Sequence, residues 1–184
     1  MKRARIILAL LVFAGSFGYW VASRVALVRD IDAVTARAQL AADRDDMLAY
    51  LTQLEENLVR HGVTHGHWAA LPWRRTMEND AALHLQSVQR MRGRLIAIEH
   101  VPPTDAAYQV ALDDLRGTLR ELPRIATPWH VTHAWVYLVL AAIGAIVVVL
   151  TLLGVRFPLA AGTRLVEALI VFTILSILAA LIFI

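Results

Sequence analysis

Two long apolar runs, residues 134–155 and 165–184, constrain the fold of this chain more than any other feature. Each has the roughly 20 residues that a helix rising about 1.5 Å per residue needs to cross about 30 Å of hydrocarbon. A third run, residues 6–21, follows a basic flank of Lys2, Arg3 and Arg5. Val21, Ala22 and Ser23 resemble a signal-peptide cleavage site. The run ends, however, in Tyr19 and Trp20, an aromatic pair suited to a membrane interface, and no Gly or Pro punctuation follows it. A retained anchor is expected, and with it three spans.

Arginine placement orients them. The N-terminal basic cluster and the acid-free turn 156–164, which carries Arg156 and Arg164, both belong on the cytoplasmic side. Three crossings meet both assignments and put residues 24–133 and the C-terminal Ile184 on the periplasmic side of a bacterial inner membrane. Aromatic residues agree independently, with Tyr19 and Trp20 at the outer end of the first span and Trp129, Trp135 and Tyr137 at that of the second. The expected division is an anchor (1–23), an extracytoplasmic helical domain (24–128) and a transmembrane hairpin (129–184).

Composition separates this middle domain from the spans. The chain has 184 residues, 58% of them hydrophobic, but the apolar excess sits at its two ends. The middle reads as an ordinary soluble segment of about 110 residues, enough to bury a modest core. Its 13 arginines face 14 acidic residues, so despite a whole-chain charge of +3 it offers no nucleic-acid surface. With no cysteine, disulfides, thiol nucleophiles and cysteinyl metal, haem or iron–sulfur ligation are excluded.

The domain is expected to be all-α. Ile31, Val34, Ala38 and Ala41, then Met47, Leu51, Leu54 and Leu58, recur at steps of three and four, an amphipathic stripe. The stripe shifts across Asp43 to Asp46 without Gly or Pro, which favours one bent coiled-coil-like helix ending at Gly62 and rising roughly 60 Å. Splitting it at Asp43 to Asp46 gives instead an up-down four-helix bundle. A second helix follows a cap at Asn79 or Asp80, with Leu85, Val88, Met91 or Leu95, and Ile98 on its apolar face. A third follows Thr104, with Tyr108, Ala111 or Leu112, Leu115, Leu119 and Leu122, and stops at Pro123. Thr127 and Pro128 then open a helix expected to run straight into the second span.

Candidate chemistry lies mainly between Gly62 and Glu78, a stretch long enough without an element to suggest a functional tip. His61, His65 and His67 could together bind Zn²⁺, Ni²⁺ or Cu²⁺ through imidazole nitrogens, or simply cap the preceding helix. If the first helix is continuous, His130 and His133 lie at the other end of the domain, near the lipid headgroups. Trp68, Trp73, Arg74 and Arg75, with Leu71, form an aromatic and basic cluster that suits a partner contact, a ligand pocket of cation–π character or a lid over the apolar end of the domain. Arg90, Arg92 and Arg94 read as a solvated surface. Glu167, the acidic residue of the run 165–184, lies within a turn of Arg164 and suits interface anchoring. Ala14 and Gly18, and Ala141, Gly144 and Ala145, are candidates for close helix packing in lipid.

No catalytic motif or cofactor fingerprint emerges, and the cytoplasmic segments are too short to house an output domain. The first expectation is therefore a non-catalytic accessory or scaffold subunit of a bacterial inner-membrane complex. Its partners would be membrane lipid and other membrane-protein subunits or further copies of itself. A periplasmic ligand- or metal-binding sensor module is the alternative. A transporter or channel component, resting on Glu167 alone, is the third.

Overall fold

The computed structural model of the chain describes residues 2–69 and 72–153. The expected third span, the turn 156–164, Glu167 and Leu71 lie outside them. Among the described residues the fold is all-helical, with no strand longer than an isolated bridge. Helix α1 (Lys2–Leu27) passes through a π-turn (Val28–Asp32) into α2 (Ala33–Gln39). Then come α3 (Arg44–Arg60), α4 (Ala81–Ala97), α5 (Ala106–Glu121), α6 (Ala126–His133) and α7 (Trp135–Leu152). The chain forms two compact units, one of Met1–Ser23 with the chain from Ala134 onward, the other Arg24–His133.

In the first unit two helices are long and apolar enough to cross a membrane, one beginning at Ile6 and one being α7. They run antiparallel, since Tyr19 meets Tyr137 with ring centroids 4.4 Å apart while Ala9 and Phe13 meet Gly144. At Gly144 an added β-carbon would stand 3.0 Å from both the Ala9 carbonyl oxygen and the Phe13 amide nitrogen. Only hydrogen fits there, and the backbones therefore approach as lipid-embedded helices do. Ala9, Val12 and Ser16 pack on this face with Leu140 and Ala141. Ala14 and Gly18, marked by spacing as packing residues, are exposed instead. The outward faces carry Ile7, Leu10, Leu11 and Phe17 and, on α7, Leu138, Val139, Ile146 and Val149.

The second unit is a four-helix bundle, so the continuous 60 Å helix is corrected to the split arrangement. The break needs neither Gly nor Pro because capping supplies it. Asp43 turns extended and its carboxylate accepts the Asp46 amide at 2.9 Å, while Asp45 and Asp46 occupy the positive end of α3. The carbonyls of Ala41 and Ala42, freed by the break, accept from Arg116 Nη2 at 2.8 and 3.2 Å. The chain thus reverses after α2, and α3 packs back against it.

At its other end α3 closes with a Schellman motif. Gly62, at φ +69°, lets its own amide reach the Val59 carbonyl and the Val63 amide reach that of Leu58 at 2.8 Å. Leu58 and Val63, the hydrophobic pair of that motif, are fully buried. Asp80 caps α4 and Asp105, rather than Thr104, caps α5. Gln39 Nε2 on the Leu119 carbonyl and the Arg44 amide on the Tyr108 hydroxyl set α5 antiparallel to α2. The core is the stripe the periodicity gives: Ile31, Val34, Ala38, Met47, Leu51, Leu54, Leu58, Val88, Met91, Leu95, Leu112, Leu115 and Leu119.

This winding puts the α2–α3 turn and the α4–α5 connection at one end of the domain. The 61–80 segment lies at the other, which we call the root, where the chain enters and leaves. There the exit helix starts at Ala126 rather than at Pro128, because the Ala126 amide donates to Asp32 Oδ1 at 3.3 Å, a cap supplied from a distant residue. Helix α6 does not run straight into α7 either: Ala134 between them is non-helical, at φ −107° and ψ 10°.

Candidate functional site

The root gathers most of the polar chemistry of the domain. A π-turn shifts the backbone ladder by one residue, which leaves a carbonyl to be satisfied from outside. Here Asn57, buried on the otherwise apolar stripe of α3, donates from Nδ2 to the Asp30 carbonyl at 2.7 Å. The Asp30 carboxylate takes Arg29 Nε at 2.8 Å and stands 3.0 Å from His61 Nε2. The adjoining guanidinium holds this carboxyl below the usual range, against an opposing contribution from partial burial and with help from His61. Asp32, two residues on, is pushed up by burial, against the opposing hydrogen bond from the Ala126 amide. The two carboxylates of one turn thus tie α3 and α6 to the helix that enters the domain.

His61, His65 and His67 do not converge. The first belongs to Asp30. His65 is exposed, with Nδ1 2.9 Å from the Thr64 hydroxyl. The third stands 3.8 Å from Asp80, the residue that caps α4. Among the described residues no group of three or more His, Asp or Glu side chains is placed to share a metal ion. His130 and His133 lie at the same end of the domain as His61, which corrects their separation to opposite ends. The cause is the reversal of the chain between α2 and α3. His130 is buried, and His133 stacks on Trp129 with ring centroids 3.7 Å apart.

The aromatic and basic cluster divides into two parts. Trp68 is buried and meets the ring of His84 edge-on at 6.0 Å, closing the core as a lid does. Trp73, 77% exposed, and Met77, 83% exposed, stand in solvent with Arg74 and Arg75. The segment that presents them is folded. Two 3₁₀ turns, Pro72–Arg74 and Met77–Asn79, are bound together by Asn79. Its Nδ2 donates to the Arg74 carbonyl at 2.8 Å and its Oδ1 accepts from the Thr76 amide at 2.9 Å. The Asn79 carbonyl accepts from the Trp68 amide and the Gly66 carbonyl from that of Ala81, so the loop is pinned to the start of α4. Gly66, at φ +92°, is the residue that allows this second crossing.

Replacing Asn57 with leucine is expected to cost about 1–3 kcal/mol, since the partly buried Asp30 carbonyl then loses its donor. Denaturant unfolding of the full chain in detergent, followed by tryptophan fluorescence, measures it. An unchanged midpoint would show that the π-turn does not need this bond. Spacing alone could have marked Asn57, which interrupts a leucine stripe, and His84, which lies in register with Ala81, Val88, Met91 and Leu95. Comparison with protein-family models, curated proteins and solved structures finds no match to the chain.

Proposed function

We propose that the chain is a non-catalytic scaffold or accessory subunit of a bacterial inner-membrane complex. In this reading its three spans hold a periplasmic helical domain whose outer faces dock other membrane-protein subunits or further copies of the chain. The observation that carries it is the cross-bracing of the domain by its polar side chains. Glu55 binds Arg92 at 2.6 Å and Gln89 at 2.9 Å, joining α3 to α4. Arg94 binds Asp114 at 3.0 Å, joining α4 to α5. Arg116 and Gln39 bond the chain reversal and α5 through backbone carbonyls. Such bridges contribute little stability one by one, but together they hold the helices in one arrangement, as a docking body requires. Two helices with outward apolar faces support placement in a membrane, and the arginine distribution supports the orientation.

Photo-crosslinking in native membranes tests this reading. A photoreactive residue at Val110, an exposed position on α5, is expected to capture a discrete protein adduct. Recovery of monomer alone from Val110 and from Leu40, which is also exposed, would count against a scaffold.

A further inference from the structure

We infer that the 72–79 segment is an interfacial foot, which seats the root of the helical domain on a bilayer surface rich in anionic phospholipid headgroups. The inference rests on the membrane placement proposed above and adds what this loop touches. Three observations on the page carry it.

The first is chemical. Trp73 and Met77 expose apolar surface while Arg74 and Arg75 stand beside them, and neither guanidinium pairs with a carboxylate among the described residues. A tryptophan ring suits the boundary between headgroups and acyl chains, and arginine suits phosphate oxygens, which accept its forked donors. The single exposed acid of the segment, Glu78, leaves the foot with net positive charge at its Trp73 end.

The second is topological. The foot belongs to the connection between α3 and α4, and that connection starts at His61, 3.0 Å from Asp30 where the chain enters the domain. The exit is tied to the same place by the Asp32 bond to the Ala126 amide. The foot is therefore at the end of the domain that the chain passes through on its way from and to its apolar helices, while Leu40 and the α4–α5 connection are at the other.

The third is mechanical. A flexible loop would lose ordering entropy on landing, whereas here Asn79 and the buried Trp68 hold the turns in place beforehand. Charge near an anionic surface is worth about 1 kcal/mol per arginine, or roughly fivefold each in the docked-to-undocked ratio.

The chain has no cysteine, so one label can be placed without background. Full-length Met77→Cys, carrying an environment-sensitive fluorophore, is reconstituted in vesicles of phosphatidylcholine with phosphatidylglycerol. Quenching by lipids with a nitroxide near the headgroup is expected at position 77 and not in a Leu40→Cys control. Arg74→Gln with Arg75→Gln is expected to reduce that quenching, and pure phosphatidylcholine to reduce it in the unmodified foot. The inference is overturned if position 77 is quenched by a water-soluble nitroxide as strongly as position 40 and not by the lipid quencher. It is equally overturned if position 77 is shielded in native membranes but open in pure-lipid vesicles, which would assign the foot to a protein. Circular dichroism of each variant reads folding separately, and the Val110 cross-link reads the scaffold function independently of the foot.

Discussion

Acidification from pH 6.5 to about 4 is expected to remove about 3 kcal/mol of stability from the helical domain through His84 alone. Its imidazole is buried in α4 against the edge of Trp68, and burial pushes its pKa down from 6.5 to about 4. A histidine with a depressed folded pKa binds its proton more readily in the unfolded chain, so across this interval the unfolded state takes up protons that the folded state refuses. Stability is full above pH 6.5 and falls as pH drops, with nothing further lost below about 4. The two carboxylates of the π-turn behave differently. Asp30, held low, loses its contribution only below the ordinary carboxylate range. Asp32, held high, favours the folded state as pH falls and works against His84. His84→Leu isolates the imidazole: denaturant midpoints of the variant are expected to fall far less between pH 6.5 and 4 than those of the unmodified protein. Parallel pH profiles for the two proteins would show that His84 is not held neutral.

The second large effect is expected at Leu58. Truncation to alanine removes a fully buried side chain from the core and should cost about 2–5 kcal/mol. Leu51, equally buried in the middle of α3, should cost a similar amount. The two differ in what else they release. Leu58 also packs with Val63 in the motif that ends α3, from which the whole 61–80 connection departs. Leu58→Ala should therefore free that connection, while Leu51→Ala leaves it in place. Limited proteolysis under native conditions separates them: faster cleavage between His61 and Asp80 is expected for Leu58→Ala at a denaturant concentration where both variants remain folded. Equal cleavage rates would mean that the loop holds its shape without the helix end.

Much of the interior was legible from three-and-four spacing, because burial of one helical face is a local property of sequence. Ile31, Val34, Ala38 and Met47 to Leu58 lie where their period puts them, as do Val88, Met91, Leu95 and the Tyr108 to Leu119 face. Connectivity was less legible, and the reason is long-range bonding. The end of α2 carries no Gly or Pro; it ends because Asp43 caps the next helix and Arg116, some 75 positions away, receives its carbonyls. The π-turn is satisfied by Asn57, 27 residues on. Asp32 moves the start of α6 ahead of the Thr127 and Pro128 signal from 94 residues away. The 61–80 segment was recognisable as a special loop from its glycines and tryptophans, but the division between buried Trp68 and exposed Trp73 is set by α4 and His84. No local rule separates two tryptophans five residues apart.

The meeting of Asp32 with Ala126 also bears on how such a chain is assembled in evolution. A domain whose first and last elements are fastened to each other can be inserted into, or lifted out of, a host without stretching it. The first unit closes on itself as well, as a close pair of helices joined at Gly144 and at Tyr19 with Tyr137. Each of the two units thus carries a closure of its own, the helix pair at Gly144 and the helical domain at Asp32 with Ala126.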